Sequence, residues 1–266
     1  MTIPKVSIVT VVYNDHLHIE QTMLSVLNQN YNNVEYIVID GGSKDGTVDI
    51  IKKYADRLAY WVSEPDKGIY DAMNKAIDMC TGYWVVFINS WDAFHDNDVL
   101  TNVFSRYISE DVDVIYGDVC MVTGYGRLIK RFDKLDESIM AFNLCHQSTF
   151  TRTSLLKKYK YDTTYRIAAD MDFFNKVKII ENAKFLYIPI VMANYECGNG
   201  TSANSIWKKS KEYRRLRKIN KWSIESLKIF TKDLLRLVYY SLPFGIAQKA
   251  AKKRMLSLYK IEENHG

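Results

Sequence analysis

The stretch YWVVFINSWDAF, Tyr83 to Phe94, decides how the rest of this chain is read. Its bulky run, Trp84, Val85, Val86, Phe87 and Ile88, fits a strand buried on both faces of a parallel sheet. The run ends abruptly in Asn89, Ser90 and Asp92, which sets a carboxylate just past the carboxyl end of a central strand. Open α/β sheets place their ligands at that end. A lone acidic side chain there suits a hard divalent cation that also touches phosphate. Taken by itself, the segment reads first as a strand closed by an Asx-type turn. Its neighbours bring the ligand reading forward.

Working outward, Val6 to Tyr13 (VSIVTVVY) is a β-branched run that predicts a second buried strand. Asn14 and Asp15 supply cap chemistry for a helix from about Leu17 to Gln29. Val34 to Asp40 (VEYIVID) is a further strand that again ends in a carboxylate. The loop GGSKDGT follows it, with Thr47 placed to cap a helix through Tyr54. A strand over Leu58–Ser63 closes in EPDKG, and a helix from Ile69 to Cys80 leads into the opening segment. Beyond that segment come a helix over Leu100–Ile108 and a strand over Val112–Tyr116. From Val119 shorter strand-like pieces follow, with Gly124 and Gly126 between them. Helices near Ser154–Tyr159 and Ala169–Ile180 and a strand over Phe185–Pro189 complete the pattern. Strand and helix alternating at short spacing predict an α/β fold, a doubly wound and mostly parallel sheet flanked by helices.

The chain has 266 residues, 47% hydrophobic and 13% aromatic, enough for one large α/β domain with an appendage. Cys80, Cys120, Cys145 and Cys197 are scattered without metal-ligand spacing and read as buried thiols of a reducing compartment. The N-terminus lacks a secretory pattern, and no window offers about 18 uncharged apolar residues, so a cytoplasmic protein is expected. The net charge of +5 hides an asymmetry. Residues 205–266 hold 16 Lys and Arg against 5 Asp and Glu, whereas residues 1–204 hold 20 against 26. In that basic segment Leu227, Phe230, Leu234, Leu237 and Val238 recur at helical spacing opposite Lys228, Lys232, Asp233 and Arg236. A basic amphipathic helical tail of this kind suits an anionic membrane surface, or else packs on the body with its charges solvated. The division expected is 1–204 for the main domain, with halves 1–118 and 119–204, and 205–266 for the tail.

PKVSIVTVVYN, YIVIDGGSKDGT, SEPDKGIYDAMNKAI and GYWVVFINSWDAF, in this order and spacing, resemble the nucleotide-sugar half of a family 2 glycosyltransferase of the GT-A fold. IYGD at 115–118, HQSTF at 146–150, AADMDFF at 168–174 and CGNGTS at 197–202 resemble its later blocks. The resemblance implies inverting transfer of a sugar from a nucleoside diphosphate, UDP above all, assisted by Mn2+ or Mg2+. A glycan or lipid-linked sugar of surface polysaccharide synthesis would be the acceptor.

The residues support that chemistry on their own terms. Thr10, Val12 and Tyr13 end the first strand and Asp40 ends the second, flanking the crevice where a nucleoside would lie. Asp40 has the chemistry to accept the N3–H of a uracil, or simply starts a tight turn. Asp66 and Lys67 place a cation and a flexible backbone beside the third strand, in reach of ribose or phosphate. The resemblance makes Asp92 the expected metal ligand, aligned through Asn89, Ser90 and Trp91 with the last position of the family's Asn-Ser-Gly-Asp pattern. Trp91 stands where the family carries glycine or aspartate, so its indole stacks on the donor or narrows the site.

The family's catalytic base lies in the block AADMDFF, usually as Glu-Asp. Ala169 replaces the glutamate here, leaving Asp170 as the base and Asp172 as its support, or two acids that favour a helix N-terminus. His146 and Gln147 fall in the acceptor half and are expected to touch the acceptor. Gly198, Gly200 and Ser202 make a loop able to fold over the donor. Three other readings compete. A nucleotidyltransferase would need a Gly-rich basic loop where Tyr13-Asn14-Asp15-His16 stands, and a nucleic-acid-binding tail lacks interleaved aromatic platforms. A non-catalytic nucleotide-sugar-binding scaffold is the third.

Overall fold

The computed structural model describes residues 3–123, 126–133, 144–196, 206–218, 231 and 260–261. The loop at Gly198, Gly200 and Ser202, Cys197, and the apolar stripe from Leu227 to Val238 lie outside them. The chain divides into two units. The first is Met1–Cys120 with Arg131–Tyr195, and the second is Met121–Lys130 with Glu196–Gly266.

The first unit is built on a parallel core. Strand β1 (Val6–Val12) runs parallel to β2 (Val34–Asp40) on one side and to β4 (Trp84–Phe87) on the other; β3 (Tyr60–Ser63) extends the sheet beyond β2. All seven residues of β1 are buried, as a strand covered on both faces requires, and each such aliphatic side chain contributes about 1.5–3 kcal/mol. Helix α1 (Ile19–Leu27) joins β1 to β2, α2 (Thr47–Lys53) joins β2 to β3, and α3 (Ile69–Met79) joins β3 to β4. The register Val12↔Asp40↔Ser63 brings the carboxyl ends of three strands level, so their loops open on one edge.

On the far side of β4 the sheet becomes antiparallel. Strand β8 (Thr149–Arg152) lies between β4 and β6 (Val112–Thr123) and runs against both. The expectation of a mostly parallel sheet holds for four strands, and the sheet as a whole is mixed. The two-residue β5 (Ala93–Phe94) pairs antiparallel with β9 (Lys184–Glu196), starting immediately after Asp92. Helices α4 (Val99–Phe104), α5 (Thr153–Tyr159) and α6 (Ala169–Ile180) pack about this sheet.

The opposite, amino-terminal edge is pinned by one carboxylate. Glu35 at the start of β2 accepts hydrogen bonds from the Ser7 hydroxyl, the Thr81 N–H and hydroxyl and the Gly82 N–H, and it pairs with Lys5 at 2.7 Å. Burial would raise this carboxyl, but the bonds from Lys5, Ser7 and Thr81 outweigh it and bring the pKa down to about 2. Gly82 is required there: a Cβ would sit 2.6 Å from Ser7 N.

In the second unit, β7 (Gly126–Lys130) pairs antiparallel with β10 (Lys260–Ile261), and α7 (Ile206–Leu216) carries Arg214 and Arg215 in its last turn. Among the described residues no helix is long and apolar enough to cross a membrane. Cys80 and Cys120 are buried, and burial pushes the Cys80 thiol up to about 12, which makes it inert.

Candidate active site

The loops at the carboxyl edge are tied to one another before any ligand arrives. After β1, Asn14 turns into the left-handed region (φ 49°); its N–H donates to Ser43 Oγ and its Oδ1 accepts from Lys44 N–H. Asp15 does not cap α1, which begins later than expected at Ile19. Its carboxylate instead takes the Ser90 hydroxyl at 2.5 Å and faces His18 Nδ1 at 2.6 Å, while its N–H donates to Thr47 Oγ1. Thr47 likewise is the first residue of α2, and its hydroxyl donates to Asp45. Trp91 then stacks on His18, ring centroids 3.8 Å apart. This Asp15–His18–Ser90–Trp91 group was missed in sequence because its members lie in two loops far apart in the chain.

The expected donor residues separate into two sets. Thr10 is fully buried, and its hydroxyl is used by the Tyr36 phenol and the Ile88 carbonyl; Val12 is buried in β1 and offers only its carbonyl, to Gly41 N–H. Their side chains are therefore taken up within the sheet. Asp40 is buried too, its carboxylate accepting from Gly42 N–H, Ser43 N–H, Ser43 Oγ and Ser63 Oγ. Its observed work is to shape the loop after β2.

Tyr13, Asp66 and Lys67 reach the surface together. A Cβ on Gly41 would lie 2.6 Å from Asp66 Oδ2 and 3.2 Å from the ring of Tyr13, so only glycine lets these two side chains close over the loop. Asp66 also accepts from Gly68 N–H at 2.7 Å. Arg166, unremarked in the sequence, reaches from the segment before α6 to the Lys67 carbonyl and covers Gly68, whose φ is +121°. Arg166 thus adds a guanidinium to the loop that carries Lys67.

The central feature is a link between the two acids singled out in sequence. Asp92 is 6% exposed; its N–H donates to the Asn89 carbonyl, its carbonyl accepts from Thr22, and its carboxylate accepts from Gln147 Nε2 at 3.0 Å. Asp170, 8% exposed in the first turn of α6, faces His146 Nδ1 at 3.2 Å and accepts from the Tyr70 hydroxyl at 3.2 Å and from Met171 N–H at 2.9 Å. His146 and Gln147 are neighbours in the 3-10 turn His146–Ser148 that precedes β8. His146 Nε2 also meets Asn89 Nδ2 at 3.0 Å. One short turn therefore holds both carboxylates at the same edge of the sheet. Asp172 stands apart, ion-paired with Lys176 at 2.5 Å.

Burial and the Asp170 charge push the Tyr70 phenol well above its ordinary value; the same two causes act on Tyr161. Tyr70 is therefore a fixed donor to Asp170. Among the described residues no three His, Cys, Asp or Glu side chains converge as a metal cluster. A hard cation here would have the single carboxylate of Asp92 and would draw its remaining ligands from a bound diphosphate and water.

Comparison with known proteins bears on this site. The family model described as glycosyl transferase family 2 matches residues 7–180, which include every acid named above. A PGL/p-HBAD biosynthesis glycosyltransferase of Mycobacterium bovis is 32% identical over 210 residues, covering 76% of this chain and 80% of that protein. An uncharacterized glycosyltransferase of Mycobacterium tuberculosis is 34% identical over 66% of this chain and 70% of its own length. Among solved structures, residues 1–349 of S. aureus TarS in complex with UDP-GlcNAc align with TM-score 0.65 at 20% identity, over 91% of this chain and 77% of that one. The mannosyltransferase PcManGT from Pyrobaculum calidifontis, in complex with GDP-Man and Mn2+, aligns with TM-score 0.63 at 18% identity, over 98% and 82%. At such identities these two speak for the fold.

Proposed function

Because the chain belongs to glycosyl transferase family 2, we propose that it moves a sugar from a nucleoside diphosphate to an acceptor hydroxyl with inversion at the anomeric carbon. The observation that carries this reading is the turn His146–Ser148, which bonds to Asp92 on one side and Asp170 on the other. Asp92 would hold a divalent cation at the donor end, and Asp170 serves the acceptor end. The cation, when bound, offsets the negative charge that grows on the leaving diphosphate.

The remaining steps belong to the protein's own residues. Tyr13, Asp66 and Gly41 border the nucleoside, with Asp40 and Ser63 shaping the loop beneath. Lys67 and Arg166 meet ribose or phosphate, and Ser90 and Trp91 border the sugar. The acceptor oxygen attacks the anomeric carbon from the face opposite the diphosphate. Its proton passes to Asp170 as the new C–O bond forms, and the bond to the diphosphate oxygen breaks with its electron pair. Gln147 borders the acceptor, with His146 beside it in the same turn. Asp172, paired with Lys176, supports the first turn of α6.

TarS bound to UDP-GlcNAc and PcManGT bound to GDP-Man make UDP- and GDP-sugars the donors to try. A relative acting in PGL/p-HBAD biosynthesis makes a lipid-linked acceptor the natural choice. The basic segment 205–266 then brings the protein to an anionic cytoplasmic membrane face. A thermal-shift panel of UDP- and GDP-sugars, with and without Mn2+ or Mg2+, tests the reading. One donor should raise the midpoint selectively and only with metal. Equal, metal-independent shifts for all nucleotides would contradict it, and tight UDP binding without turnover would favour the scaffold.

A further inference from the structure

An ionised carboxylate has about four lone-pair positions. Asp170 Oδ1 accepts from the Tyr70 hydroxyl and from Met171 N–H, so both of its positions are filled. Oδ2 meets one group, His146 Nδ1. The other ring nitrogen of His146 meets the carboxamide nitrogen of Asn89, which can only donate. Nε2 is then the bare nitrogen, and Nδ1 carries the proton that points at Asp170. Turning the Asn89 amide over would place a proton on Nε2 as well, but Nδ1 would still need its own to face a carboxylate. Among the described residues Asn89 Oδ1 is buried without a partner, so the bond to His146 is the one hydrogen bond its side chain makes there.

Both ring nitrogens of His146 are therefore committed within the protein, and neither is left for a sugar hydroxyl. The side chains of His146 and Asp170 are 16% and 12% exposed, so water competes little for the bond between them. Tyr70, held in its protonated form, donates to Asp170 and does not compete with it as a base.

Resting on the sugar-transfer reading above, we infer that His146 is a positioning residue for Asp170. Its Nδ1–H fills one lone pair of Oδ2, fixes the carboxylate's rotamer, and leaves the second lone pair of Oδ2 as the position that receives the acceptor's proton. The acceptor hydroxyl approaches Oδ2, and Oδ1 takes no part. Asn89 holds the imidazole in the orientation this requires, so the first strand-end block, INSWD, and the later acidic block, AADMD, are coupled through one ring.

Two measurements test this, and the first needs no substrate. Long-range 1H–15N spectra of the full chain labelled with 15N-histidine, with the His146 signals identified by their loss in H146N, report which ring nitrogen is protonated. A proton on Nδ1 is expected; a bare Nδ1 overturns the proposal whether or not the protein transfers sugar. The second is hydrolysis of UDP-GlcNAc and UDP-glucose with Mn2+ and water as acceptor. Gln at 146 puts its amide near the Nε2 position and leaves Asp170 unsupported, so H146Q should hydrolyse about 10²-fold more slowly. H146N returns a donor to the Nδ1 position and should recover at least about tenfold over H146Q. A residue that merely touched the acceptor would be indifferent when water replaces it, so parental hydrolysis by H146Q would overturn the proposal. Failure of the parent to hydrolyse any donor would count against sugar transfer instead, leaving the tautomer to decide the role of His146.

Discussion

Trp91 sits at φ +80°, where a side chain costs about 1–2 kcal/mol, and the sequence pattern it interrupts carries glycine or aspartate at this position. Its stacking on His18 returns about 0.5–1.5 kcal/mol, so the two effects nearly cancel. W91G should therefore change the unliganded melting midpoint by no more than about 4 °C, read by scanning calorimetry. If the indole borders the sugar as proposed, the same variant should shrink the midpoint rise produced by a nucleotide sugar. A full-sized rise in W91G would remove Trp91 from the donor site. At this scale the sequence was legible for single residues and blind to pairs. Asp92 and Asp170 stand out as candidates because one lies in the loop after a core strand and the other in the first turn of a helix. The bonds His146–Asp170 and Asp15–Ser90 join residues that only the tertiary fold makes neighbours. Thr10 is a related case: its strand-end position suggests a crevice, and its hydroxyl is turned into the sheet between Tyr36 and Ile88.

Among the elements, the parallel strands were readable because each is a β-branched or aromatic run closed by Asn or Asp, or in β3 by Ser-Glu-Pro. The antiparallel β8 was not, since TFTR gives no hint of direction and its partners β4 and β6 are chosen by packing. Its last residue, Arg152, is buried with its guanidinium 4.0 Å from the Tyr83 ring centroid and hydrogen-bonded to the Val112 carbonyl. A charge at that position breaks the apolar pattern that would have announced a core strand. Glu35 supplies this scale's prediction. Its folded pKa lies below its unfolded one, so its stabilisation is present above about pH 4.5 and is lost as pH falls toward about 2. Urea midpoints measured at pH 5 and pH 3 should fall in the parent, and E35Q should be less stable at pH 5 with a flatter dependence. An unchanged slope in E35Q would mean that other carboxylates govern acid unfolding.

For the whole molecule, the charge asymmetry predicts behaviour at a membrane. The full chain should float with vesicles containing anionic phosphatidylglycerol and stay behind with neutral phosphatidylcholine, more so at low salt. A truncation after residue 205 should abolish flotation; unchanged flotation would assign the membrane contact to the body. The α/β architecture was legible at this scale because strand and helix periods alternate through residues 6–180. The order of strands beyond β4 was not, because it depends on chain reversals that composition does not encode.

All scales meet in the claim that Asp92 and Asp170 serve one donor–acceptor site. Release of UDP from UDP-GlcNAc and UDP-glucose in the parent, D92N and D170N, with the donor-induced melting shift followed in the same samples, tests it most directly. D170N should lose about 10²–10⁴-fold in turnover while keeping its Mn2+-dependent shift, and D92N should lose both. Parental turnover in D170N, or a metal-dependent shift that survives in D92N, would contradict the account.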